Sequence, residues 1–158
     1  MLVKTITAFT IAHSITLGLA VCGLVNAPSR PVDAAIALSI AFLGAEILHA
    51  RRGRQGLTCR YPWIVAFAFG LLHGLGFAGA LTDLGLPAVD ITVALLFFNV
   101  GVELGQLGFV ALVLAMLRSF RVLEIHWARW TETIPAYTVG TLGAFWAIQR
   151  TAMILAGM

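Results

Sequence analysis

The sequence predicts an all-α fold, a polytopic integral membrane bundle of about five transmembrane helices forming a single domain over residues 1–158. Three observations predict it. Hydrophobic residues make up 60% of the chain and charged residues only 11%, with a mean hydropathy of +0.96, which leaves too little polar surface for a soluble globule. Five apolar segments, at about 3–25, 32–50, 62–82, 90–117 and 134–156, match the roughly 20 residues that a helix needs to cross a bilayer. Such segments are too long for barrel strands, so helices remain as the way to satisfy backbone polar groups in lipid.

The first segment, about 3–25, reads as a retained membrane helix rather than a signal peptide. Its apolar run exceeds the usual 7 to 15 residues of such a leader and carries His13, Ser14 and several threonines. The loop "VNAPSRPVD" leads into segment two, with Pro31 placed at a helix start. Segment three carries Ala66, Gly70, Gly74 and Ala78 at successive fours, and segment four carries Gly101 and Gly105. This spacing of small residues lets helices approach closely, and it predicts that segments three and four pack together, bringing His73 toward Glu103. Between them "DLGLPAVD" holds Asp83 and Asp90 and is expected outside the cell. The stretch "SFRVLEIHWARWTET", Ser119 to Thr133, alternates charge with bulk as a short amphipathic interfacial helix would. Segment five carries Gln149 and Arg150, expected to snorkel to the outer interface.

Basic residues set the orientation. Lys4, Arg51, Arg52, Arg54, Arg60, Arg118, Arg121 and Arg129 fall on one side of an alternating five-helix chain, with Arg30 and Arg150 near the other. The positive-inside rule then places the N-terminus in the cytoplasm and the C-terminus outside, in what is expected to be a bacterial inner membrane. Trp63, Trp127 and Trp130 suit an interfacial belt on the basic side. Because the net charge of +3 is accounted for by orientation, no nucleic-acid partner is expected. The expected partners are the lipid bilayer and further subunits, of this chain or of a larger membrane complex. Cys22 and Cys59 form no ligand spacing and are assigned no disulfide. No GxSxG, HExxH or phosphate-binding glycine loop is present, so neither an enzyme nor a permanently bound cofactor is expected.

Four ionisable residues interrupt the apolar segments: His13, Glu46, His73 and Glu103. Each costs roughly 2.5 to 3.5 kcal/mol to insert at mid-membrane, so each is expected to face a partner or a hydrated path. Counted along their segments, His13, His73 and Glu103 lie near one central level, with Glu46 displaced toward the cytoplasmic end. Asn99, Glu103 and Gln106 share a helix face, as do Thr10, His13 and Thr16, while Ser39, Glu46 and His49 form a third stripe. Two imidazoles with carboxylates and amides suit a borderline divalent metal such as nickel, cobalt or zinc, and suit proton relay equally well.

"AFTIAHSITL" (Ala8 to Leu17), "FGLLHGLGFA" (Phe69 to Ala78) and "FNVGVELGQ" (Phe98 to Gln106) resemble, in order and spacing, the signature segments of the HupE/UreJ-like membrane proteins. "VDAAIALSIAFLGAE" is similar to that family's second shared helix, and the likeness spans roughly residues 5 to 115. The resemblance implies a small secondary permease for nickel or cobalt, the metal being substrate rather than cofactor. It carries over to His13, Ser14, Asp33, Ser39, Glu46, His73, Gly74, Asn99, Glu103 and Gln106. The expected metal site is therefore His13, His73 and Glu103, with Asn99, Gln106 and Glu46 around it. Two departures stand out: Ile47 follows Glu46 where the family tends to have asparagine, and the chain is expected to lack the upstream Asp-His segment of longer relatives. The alternative function is a non-transporting structural or accessory subunit of an oligomeric membrane complex.

Overall fold

The computed structural model describes residues 1–83, 88–122 and 133–157, with side chains omitted at 78–83, 88–92 and 121–122. Among the described residues there are five long helices and one short one: α1 (Leu2–Val21), α2 (Ser29–Arg51), α3 (Leu57–Arg60), α4 (Pro62–Asp83), α5 (Ala88–Val122) and α6 (Ile134–Leu155). Local chemistry sets their ends. Gly23 follows the end of α1 at φ 72° and Gly53 the end of α2 at φ 77°, left-handed positions that glycine adopts without a Cβ penalty and that stop a helix. Proline opens α4, where its missing N–H costs no intrahelical bond.

Among the described residues three helical stretches, Leu2–Val21, Ser29–Arg51 and Val93–Phe120, are long and apolar enough to cross a membrane, and the described part of α4, Pro62–Phe77, is a shorter apolar helix. Of the five expected spans, α6 falls short of that apolarity because Gln149 and Arg150 interrupt it. The architecture is that of an all-helical membrane bundle. Large side chains such as Phe97, Leu104, Phe109 and Leu112 are exposed along α5, as a lipid-facing surface requires. The interfacial helix expected over Ser119–Thr133 cannot be traced, because residues 123–132 lie outside the described residues, and so do the side chains of Asp83 and Asp90.

The register of contacts fixes helix directions. Gly70 packs on Phe9 and Ala12 while Gly74 packs on His13 and Leu17, so α4 runs parallel to α1. Phe42 meets Phe69 edge-on at 6.0 Å, and Gly76 meets Ile36, so α2 is antiparallel to α4. Gly44 lies on Gly140, Gly143 on Ala41, and Asp33 near Arg150, so α6 is antiparallel to α2. His13 pairs with Asn99 and Thr7 with Glu103, which makes α5 antiparallel to α1. The five long helices therefore alternate in direction along the chain.

The small residues of α4 do not meet those of α5, contrary to the expectation. Gly70 and Gly74 are filled by α1, where a Cβ on Gly70 would lie 2.9 Å from Ala12 Cβ and one on Gly74 would lie 3.0 Å from the Leu17 nitrogen. Gly101, Gly105 and Gly108 face open space. The physical reason is that α1 offers its own small residue, Ala12, and a bare backbone to α4, so that interface closes more tightly than one built on α5.

Candidate functional site

Helix α1 is the spine of the site. Its polar stripe turns inward, with Thr10 and His13 buried, while Ile11 and Ile15 on the opposite face are exposed. His13 is 2% exposed, and its Nδ1 lies 3.1 Å from Asn99 Oδ1. Asn99 Nδ2 donates to Leu95 O at 2.9 Å, which orients the amide so that Oδ1 can only accept from the imidazole. His13 therefore carries its proton on Nδ1 and keeps the lone pair on Nε2, the arrangement in which a hydrogen-bonded ring nitrogen prepares the other for a metal or a proton. Phe9, Phe77 and Phe98 surround the ring, with centroids 6.0, 5.6 and 6.0 Å away.

Glu103 lies four residues beyond Asn99 on α5, about one turn or ~6 Å along the helix. There Thr7 Oγ1 donates to Glu103 Oε1 at 2.8 Å. Asn99, not Glu103, thus shares the level of His13, because antiparallel pairing carries Glu103 toward the N-terminal end of α1. Gln106 continues the same α5 face, and its Oε1 is buried without a hydrogen-bond partner.

His73 stands on the other side of α1. Its ring meets Phe9 edge-on at 5.5 Å, so one phenylalanine ring contacts both imidazoles. His73 opens into a cleft of about 500 Å³ between α1, α2 and α4, with Ser39 beside it. Among the described residues no three of histidine, cysteine, aspartate and glutamate come together as a metal-holding group, so the expected meeting of His13, His73 and Glu103 is not observed. What forms instead is a polar seam between α1 and α5 and a separate cleft behind it, with Phe9 between.

Glu46 lies in the last two turns of α2. Its carboxylate accepts from the Thr58 backbone N–H and Thr58 Oγ1, both at 2.9 Å. At the same end of the molecule Lys4 Nζ sits 4.7 Å above the Trp63 ring, and at the opposite end Arg150 Nε lies 4.0 Å from Asp33 Oδ2.

A family model described as HupE / UreJ protein matches residues 1–150. The chain belongs to the HupE/UreJ family. No curated protein and no solved structure matches it. HupE/UreJ proteins are a transporter-type family associated with nickel and cobalt transport, and this chain is accordingly an integral membrane protein. Each motif of this HupE/UreJ chain has a local reason. Gly74, next to His73, lets α4 lie on the His13 carbonyl, so "HG" on one helix seats the histidine of the other. Asn99 sets the His13 tautomer, and Glu103 and Gln106 continue that face. Sequence reasoning missed Thr7, Thr58 and the ring of phenylalanines. Thr7 was within reach, since it lies three residues before Thr10 and extends the stripe already seen in α1.

Proposed function

We propose that this chain is a secondary permease of a bacterial inner membrane for a divalent transition-metal ion, nickel or cobalt, with its N-terminus in the cytoplasm and its C-terminus outside. One observation carries the reading: the α1–α5 seam lines up a tautomer-fixed imidazole, a carboxylate and a partnerless buried amide oxygen, at His13, Glu103 and Gln106. Imidazole nitrogen with oxygen donors suits nickel and cobalt, and the carboxylate offsets part of the ion's charge. His73 receives the ion on the far side of Phe9, and Asn99 keeps His13 in its ligating form. Protons exchanging on histidine and glutamate supply the coupling. Membership of the HupE/UreJ family supports the same reading.

The alternative, a non-transporting subunit, draws on the absence of a three-ligand group among the described residues and on hydrogen bonds that already tie α1 to α5. One paired experiment separates the two. Nickel and cobalt uptake and the melting temperature are measured on the same preparations of the unmodified chain, His13→Ala, His73→Ala and Glu103→Gln. The permease reading expects uptake to fall at least tenfold with little change in melting temperature. Unchanged uptake with a lowered melting temperature would establish the structural role.

A further inference from the structure

The cleft that receives His73 has a direction. At one end are His73 and Ser39, the latter 6% exposed and bonded to the Ile36 carbonyl at 2.7 Å. At the other are Thr5, Thr58, Cys59 and Pro62, near the ends of α1, α3 and α4. Along α4, His73 and Pro62 are 11 residues apart, a rise of ~16 Å and about half of the ~30 Å hydrocarbon thickness. Between the polar ends the walls are apolar, built from Phe9, Ile40, Leu43, Val65 and Phe69. Two polar stations joined by an apolar throat form the kind of passage that closes by losing water.

Helix α3 lies at the outer end, and its position is held from outside the cleft. Glu46 does not line the space, yet its carboxylate grips Thr58, which does, through both the backbone N–H and the hydroxyl. The segment is shaped for this grip, since any Cβ on Gly56 would collide with the Glu46 carboxylate, its nearest carbon lying 2.5 Å away.

We infer that this cleft is the half of the permeation path on the side bearing Arg51 and Arg52, and that Glu46 is a positioning residue, a latch holding α3 across its mouth. The inference rests on the permease reading. A divalent cation arriving at the mouth competes with Thr58 for the same carboxylate, so the arriving ion itself releases α3. Glu46 thus acts on the passage by moving Thr58 and Cys59, rather than by joining the ligands at mid-membrane.

The test reads accessibility and needs no metal. In a Cys22→Ser, Cys59→Ser background, Ser39→Cys places a single thiol at the inner end, and a charged, membrane-impermeant thiosulfonate is applied to right-side-out and inverted vesicles in turn. The thiol is expected to react only from the face bearing Arg51 and Arg52. Glu46→Ala is expected to accelerate the reaction at least tenfold, Gly56→Ala similarly, and Thr58→Val by less, because Thr58→Val keeps the backbone bond. Thr58→Val and Gly56→Ala retain residue Glu46 and cover the case in which Glu46→Ala fails to fold. Reaction from the opposite face, no reaction in any variant, or one rate for all of them would overturn the inference. Labelling as expected, with no metal uptake by the unmodified chain, would instead defeat the permease reading and leave the latched cleft standing.

Discussion

At the scale of single residues, the site depends on Asn99 as much as on the histidine it touches. Its amide is oriented by Leu95 O and in turn dictates which nitrogen of His13 bears the proton. Asn99→Leu, which keeps bulk and removes the acceptor, is expected to weaken metal affinity about 10- to 100-fold, the usual consequence of losing a hydrogen bond behind a ligand. Asn99→Asp, which keeps the acceptor, is expected to retain most of it. Titration calorimetry of both variants with nickel checks this, and equal affinities would show that the tautomer is not set by Asn99. The stripes that carry these residues were legible, because threonine, histidine, asparagine and glutamate at threes and fours are rare in apolar helices. The pairing across stripes was not legible. Counting from segment ends put His13 level with Glu103, whereas the antiparallel register puts it level with Asn99, an offset of one turn that only packing decides.

At the scale of helices, one spacing of small residues has two outcomes in this chain. A Cβ on Gly44 would lie 2.5 Å from Gly140 Cα, a backbone atom that cannot swing away, while one on Gly140 would meet Gly44 Cα at an ordinary 3.6 Å. Gly44→Ala is therefore expected to destabilise by about 1 to 3 kcal/mol, and Gly140→Ala to be tolerated. Gly101 faces open space, so Gly101→Ala is expected to be neutral or to stabilise by up to about 1 kcal/mol through helix propensity. Thermal unfolding in detergent ranks the three, and a Gly101→Ala melting temperature lower than that of Gly44→Ala would refute the assignment of faces. The helices themselves were readable, since apolar length fixes them to within a few residues: α4 runs Pro62–Asp83 against an expected 62–82. Short α3 was not readable, because four residues inside an arginine-rich connection carry no periodicity and take their shape from Glu46, ten residues before Gly56.

At the scale of the whole molecule, alternating helix directions and the arginine-rich connection after α2 make a topology prediction. Reporter fusions at Asn26 are expected to report the outside, and fusions at Arg54 the cytoplasm. The reverse pattern would invert the molecule and exchange the two faces of the proposed permeation path. The close contacts also sort the helices into pairs. Backbone lies on backbone between α1 and α4 at Gly74, and between α2 and α6 at Gly44, whereas α2 meets α4 through side chains, Phe42 on Phe69 and Ile36 at Gly76. Mechanically, the chain is two stiff boards meeting at a padded joint, and the cleft runs along that joint. Aromatic and aliphatic side chains can slide or re-rotate where glycine-to-backbone contacts cannot, so the soft degree of freedom is one board tilting on the other. Spin labels on α1 and α4 should then keep a single narrow distance with and without nickel, while a pair on α1 and α2 should broaden or shift, as expected for a transporter that rocks around a fixed site.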